Sequence, residues 1–187
     1  SSRDRCVAVV CFVGCTWNGH GMTEQQKYRV VESYDGLEIR EYAPCVIAVV
    51  TMTGEASRVG SKAFGPLVGY ISQNKIAMTS PVIQEKGDAS GEWNVAFVLP
   101  EGQELKQLPA PRDSRVSLRH VPEQLCIAAT WSGSWKYSEV EKRIAELNQR
   151  LRELGYHSVG EPRWARYDPP WKPWFARRNE VIIPIAA

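Results

Sequence analysis

IREYAPCVIAVVTMTG (residues 39–54) and LRHVPEQLCIAATWSG (residues 118–133) lie over one another without a gap, so that Arg40 meets Arg119, Thr51 meets Thr130 and Gly54 meets Gly133. Each copy reads as two short apolar strands, and each is followed by a segment of helical length. Two further strand-like runs come after each helix: KIAMTSPVIQE and EWNVAFVLP in the first half, EPRWARYDPP and RRNEVIIPI in the second. Strands arriving around a single helix, twice over, predict an α+β domain whose half-units pair into one twisted, barrel-like sheet. The Pro-rich stretch LPAPRDSR (residues 108–115) reads as the bridge between the halves.

The two helices differ in kind. In the second, Val140, Ile144, Leu147, Leu151 and Leu154 step by threes and fours along one face, which suits one core. Ser138 with Glu141 forms the spacing of a capping box, and Gly155 reads as the stop. The first, EASRVGSKAFGPLVGYIS (residues 55–72), contains Gly60, Gly65, Pro66 and Gly69, all unfavourable in a helix interior. Val59, Ala63, Leu67 and Tyr70 can meet the sheet. A second face, Ser61, Phe64, Gly65, Val68 and Ser72, is also uncharged, where a helix lying on a sheet should show water a polar side. That spare face predicts a groove for a flat apolar ligand; the alternative is a kinked helix covered by its own loops.

A chain of 187 residues with 43% hydrophobic content can close one core, so a single domain is expected. Its net charge of +2 supplies no field of the kind that marks a nucleic-acid partner. Phosphate-cradling, nucleophile-elbow, zinc-protease and dinucleotide motifs are absent. Cys45 and Cys126 sit in strand-like runs and read as buried thiols. His120 and His157 read as surface or capping residues.

Residues 1–27 form a separate N-terminal segment, with the domain expected over 28–187. SSRDRCVAVVCFVGC has arginines, a short apolar run and small residues before Cys15, the layout of an export signal. FVGC resembles a lipobox, which implies a periplasmic or membrane-anchored lipoprotein held through lipidated Cys15. The alternative is a cytoplasmic protein that starts at Met22. The apolar run is too short for a stable transmembrane helix.

LEIREYAP, NKIAMTSPV, FVLP, LPAPRDSRV and YDPPWKPWFARRNEV stand in the order and at the intervals of the SOUL heme-binding family, which the chain resembles from about Tyr28 to Ile185. The resemblance implies a distorted antiparallel β-barrel of two βαββ-like halves with two helices packed outside. It also implies that heme or another tetrapyrrole binds non-covalently, without a strong axial ligand, in a shallow groove between the first helix and the C-terminal loop. Carried over by position, Ser61, Phe64, Gly65 and Val68 would line one side, with Trp171, Lys172, Trp174 and Arg177 opposite. Ser61 departs from the pattern, because some relatives place a basic residue there and a hydroxyl cannot ion-pair with a propionate. Pro169, Pro170 and Pro173 would stiffen the loop before a ligand arrives. Arg177 and Arg178 are adjacent in a strand-like run and point to opposite faces, so one at most can reach the ligand. Two other functions stay open. One is a small-molecule hydrolase like those among GyrI-like folds, using Glu41, Tyr42 or Tyr167; the other is an envelope-anchored interaction protein that uses the tryptophan loop as a contact patch. Oligomeric state is open.

Overall fold

The computed structural model describes residues 23–187. The expectations for Cys6, Cys11, Cys15, His20 and Met22 lie outside the described residues. The strands are β1 (Glu24–Gln25), β2 (Tyr28–Tyr34), β3 (Leu37–Tyr42), β4 (Cys45–Thr53), β5 (Thr79–Ser80), β6 (Val82–Lys86), β7 (Glu92–Val98), β8 (Val116–Val121), β9 (Gln124–Ser132), β10 (His157–Ser158), β11 (Arg163–Arg166) and β12 (Arg178–Ala186). Helix α1 spans Ala56–Gln73 and α2 spans Tyr137–Glu153. β1 pairs with β5, so ordered pairing begins at Glu24, ahead of the Tyr28 boundary expected from the sequence.

One antiparallel sheet runs β2-β3-β9-β12-β11-β6-β7-β4-β8 and curls into a half-barrel. Its middle is the seam between halves, where β11 pairs with β6 and Arg163 sits opposite Glu85, its ion-pair partner at 3.2 Å. Outward from that seam, β12, β9 and β3 on one side take the places that β7, β4 and β8 take on the other. Gly54 and Gly133, each just past the second strand of its half, share a φ of 155°.

Side chains alternate across each strand, so every strand feeds two clusters. Val46, Ala48 and Val50 of β4 pack with Val59, Ala63 and Leu67 of α1, while Val49 points to the opposite cluster with Ile83, Ala96 and Val98. In the second half Val140, Leu147 and Leu151 of α2 cover Ile39, Ile127, Val181 and Ile183. The apolar face read for α2 is the one it buries, with Ile144 and Leu154 at the margin. Gly155 closes the helix at φ 83°: its N–H donates to the carbonyl of Arg152, and that of Tyr156 to Leu151, a Schellman ending. The capping box does not form. The N-cap is Lys136, without a side-chain cap, because the start of α2 is held by aromatic packing: Tyr137 meets Trp93 edge-on at 5.1 Å and Trp164 at 6.2 Å. Cys126 is buried and its thiol is pushed up to about 11 by burial, whereas Cys45 is only half-buried. No helix among the described residues is long and apolar enough to cross a membrane.

Candidate functional site

Helix α1 buries Val59, Gly60, Ala63, Leu67, Tyr70 and Ile71 and leaves its second face uncovered. Ser61, Gly65 and Ser72 are exposed, Val68 is half-buried, and Phe64 is 45% exposed, its ring edge-on to Phe97 at 5.4 Å. The glycines divide by function. A Cβ on Gly60 would lie 2.6 Å from Nη2 of Arg166, so a larger residue there would force the Arg166 side chain to shift. Gly65 and Gly69 have nothing within 4 Å of such a Cβ. Each costs helix stability of about 1 kcal/mol relative to alanine without any packing that requires it.

Gly65 also borders a second cleft. With Pro66, Gly69 and Tyr70 it lines a cleft of about 270 Å³ whose other wall is Pro111, Arg112, Asp113 and Arg115, the bridge between the halves. Tyr70 ties that bridge to the helix through a hydrogen bond from its hydroxyl to the carbonyl of Pro109 at 3.0 Å. Phe64 stands one helical turn beyond Gly60, on the side that meets Arg166. The tryptophan loop approaches this side through a chain of stacked groups. The Arg166 guanidinium lies over Trp164 and Trp135 at 4.7 and 5.5 Å from the ring centres, and Arg177 lies over the same Trp135 ring at 4.5 Å.

The loop itself is locked. Asp168 accepts from Lys172 Nζ at 2.6 Å and from the Arg178 backbone N–H. Arg177 donates to the carbonyls of Lys172, at 2.8 Å, and Pro170. Lys172 and Arg177, both read as ligand contacts, are thus also the loop's internal ties. Held in this way, Trp171 is 83% exposed, Trp174 61% and Phe175 64%, a contiguous stretch that gives the fold little and faces water. Trp174 and Phe175 meet edge-on at 5.9 Å in a turn of 3-10 helix.

Arg166 is the residue sequence reasoning missed. Its hydrogen bond goes to neutral Gln84 Oε1 at 3.3 Å, and its Nε is buried without a partner, as is Nε1 of Trp135. Desolvation pulls the Arg166 guanidinium down to about 10. An unpaired buried donor costs about 1–3 kcal/mol, and here two such donors belong to stacked neighbours.

The face of the sheet turned from the helices holds a different cluster. Glu180 accepts from Arg40 Nη1 and Nη2 at 2.9 and 3.1 Å, Tyr167 at 2.6 Å, Thr130 at 2.8 Å and Arg178 at 2.7 Å. Burial alone would raise this carboxyl, but the hydrogen bonds and charge of Arg40, with Tyr167 and Arg178, outweigh it and hold the pKa below the usual carboxylate range. Burial, then the Glu180 charge, raises Tyr167 well above its ordinary value. A carboxylate saturated by two guanidinium groups is a weak base. Of the other two hydrolase candidates, Glu41 is ion-paired with Arg29 at 2.6 Å and the Tyr42 hydroxyl accepts from Arg40 Nη1 at 2.9 Å. His120 and His157 are exposed on β8 and β10. Among the described residues no group of three or more His, Cys, Asp or Glu side chains could hold a metal ion.

The half-barrel and its two helices place the protein among GyrI-like folds. The EcmrR C-terminal domain superposes at a TM-score of 0.66 with 11% identity, over 80% of this chain and 96% of that one. A hydrolase encoded by lin2189 from Listeria innocua superposes at 0.58 with 16% identity, over 80% and 91%. At these identities the likeness is one of fold. Comparison with curated proteins returns no match. The profile of the SOUL heme-binding protein family matches residues 23–184, and the chain belongs to that family.

Proposed function

We propose that the protein binds heme or a related tetrapyrrole reversibly, between the Phe64 side of α1 and the loop bearing Trp171 and Trp174, for transport, buffering or sensing. The observation that supports this best is the pair of exposed indoles on a loop that internal hydrogen bonds already hold in place. Large apolar side chains kept in water on a stiff frame suit a flat partner, since little ordering entropy remains to be lost. Family membership points the same way.

Covering on the order of 300 Å² of apolar ligand surface at roughly 25 cal/mol per Å² gives about 7 kcal/mol before association costs. Several kcal/mol of that go to immobilisation, so the apolar contact alone is weak, micromolar at best. Ser61, Phe64, Gly65, Val68, Trp171, Lys172, Trp174 and Arg177 include no imidazole or thiolate, so the reading predicts that iron-free porphyrins bind as well as hemin. Paired tryptophan-quenching titrations with hemin and metal-free protoporphyrin test it. Similar saturable binding by both supports the groove; a large loss without iron overturns it in favour of an axial ligand such as His120 or His157. Anchoring through Cys15 is proposed alongside, and mass spectrometry of the natively expressed N-terminus decides it.

A further inference from the structure

We infer that Arg166, the indole N–H of Trp135 and Arg177 form a carboxylate-binding subsite at the seam between α1 and the start of α2, which receives an acidic side arm of the tetrapyrrole. This rests on the reading above and assigns it a polar anchor in which Arg166 and Trp135, neither of them singled out by the sequence, join Arg177.

The argument begins with charge. Arg40, Arg163 and Arg178 each pair with a carboxylate. Arg166 and Arg177 make no ion pair among the described residues; their hydrogen bonds go to the Gln84 side chain and to two backbone carbonyls, all neutral. Both guanidinium groups lie over one indole, Trp135, whose N–H is buried without an acceptor. Two positive charges and two orphan donors, Arg166 Nε and Trp135 Nε1, therefore converge with no anion of the protein's own. Burial depresses the Arg166 pKa, as expected of a cation kept without a counter-charge.

Position selects the ligand. Arg166 and Trp135 are half-buried residues, although Arg166 Nε and Trp135 Nε1 themselves are covered. Arg166 packs on Gly60 of α1, and Arg177 holds the carbonyls on either side of Trp171. The subsite thus adjoins both walls of the proposed groove. A forked guanidinium matches the two oxygens of a carboxylate, and a macrocycle stacked on Trp171 and Trp174 would bring its edge acids to this end. Gln84, whose amide also donates to the Ala56 carbonyl at 2.8 Å, keeps the Arg166 fork oriented without neutralising it.

The test uses the full chain and two probes, deuteroporphyrin with free propionates and its dimethyl ester, titrated against wild type, Arg166→Gln and Arg166→Lys. The expected result is that R166Q weakens the diacid about tenfold or more, that R166K recovers part of the loss, and that ester affinity is the same in all three. In 15N-labelled wild-type protein, the Trp135 indole resonance, identified by its loss in Trp135→Phe, should shift with the diacid and not with the ester. That measurement needs no Arg166 variant to fold. If both porphyrins bind and neither R166Q nor the Trp135 resonance distinguishes acid from ester, the subsite is wrong and the tetrapyrrole reading survives. If neither porphyrin binds saturably, both fall.

Discussion

Arg40 of β3 and Glu180 of β12 face one another through two parallel hydrogen bonds, at 2.9 and 3.1 Å, with both side chains buried. β9 lies between their strands and adds Thr130 to the same carboxylate. The pair joins two segments 140 residues apart and fills the sheet face that the helices leave uncovered.

Removing one partner breaks the buried pair and leaves the other charge only its more exposed partner, Glu38 for Arg40 or Arg178 for Glu180, each at 2.7 Å. Arg40→Met or Glu180→Leu alone should cost about 3–5 kcal/mol, and the double variant should regain much of that. Urea unfolding of the three variants, treated as a double-mutant cycle, checks it.

The same carboxylate sets the acid limb of stability. Its folded pKa lies below the ordinary value near 4.5, so its contribution is fully present above that value and is lost as pH falls through the folded one. Unfolding free energy should therefore decline below about pH 4.5, with a shallower decline in Glu180→Gln. Denaturant titrations between pH 3 and 7 measure the two slopes.

The glycines of α1 should respond in opposite directions. Gly69→Ala, with open space at its Cβ, should stabilise by about 0.5–1 kcal/mol. Gly60→Ala must push Arg166 off its two indoles, an overpacking cost of about 1–3 kcal/mol that outweighs the helical gain. Chemical denaturation of the two variants separates the signs.

Trp171 and Trp174 should matter to the ligand and hardly to the fold. The double change to alanine should leave stability within ~0.5 kcal/mol, while porphyrin affinity drops at least tenfold. A folded double variant with unchanged affinity would move the ligand away from this loop.

Asp168→Ala keeps both indoles and removes their brace. It should weaken porphyrin binding through the ordering entropy that the loop then loses on contact, and should speed proteolysis between residues 168 and 178. Limited trypsin digestion, directed at the Arg177–Arg178 bond because Lys172 precedes a proline, reports the loosening.

The architecture was largely legible. Period-three-and-four spacing from Val140 to Leu154 placed α2 and its buried face, the aligned copies ending at Gly54 and Gly133 placed the strand pairs, and the second uncharged face of α1 is open as expected. What escaped depends on which strands are neighbours. That Arg166 lies under Gly60 and beside Trp135 follows from β11 pairing with β6, a contact across the seam with no local sequence signal. The second cleft that Gly65 borders was hidden for the same reason, since only the chain path from Pro109 to Val116 shows what faces it. The double duty of Lys172 could have been seen: Asp168 stands four residues before it, a spacing that invites an ion pair. The failed capping box shows a local signal overruled by the stacking of Tyr137.

A binding loop that is already braced has no gate to open. On the proposed reading, capture would then run at the ordinary encounter rate for proteins, about 10⁶ M⁻¹s⁻¹, and at micromolar affinity or weaker the cargo would leave within about a second. Such turnover suits a courier that surrenders its load to any tighter acceptor it meets, with no signal needed for release.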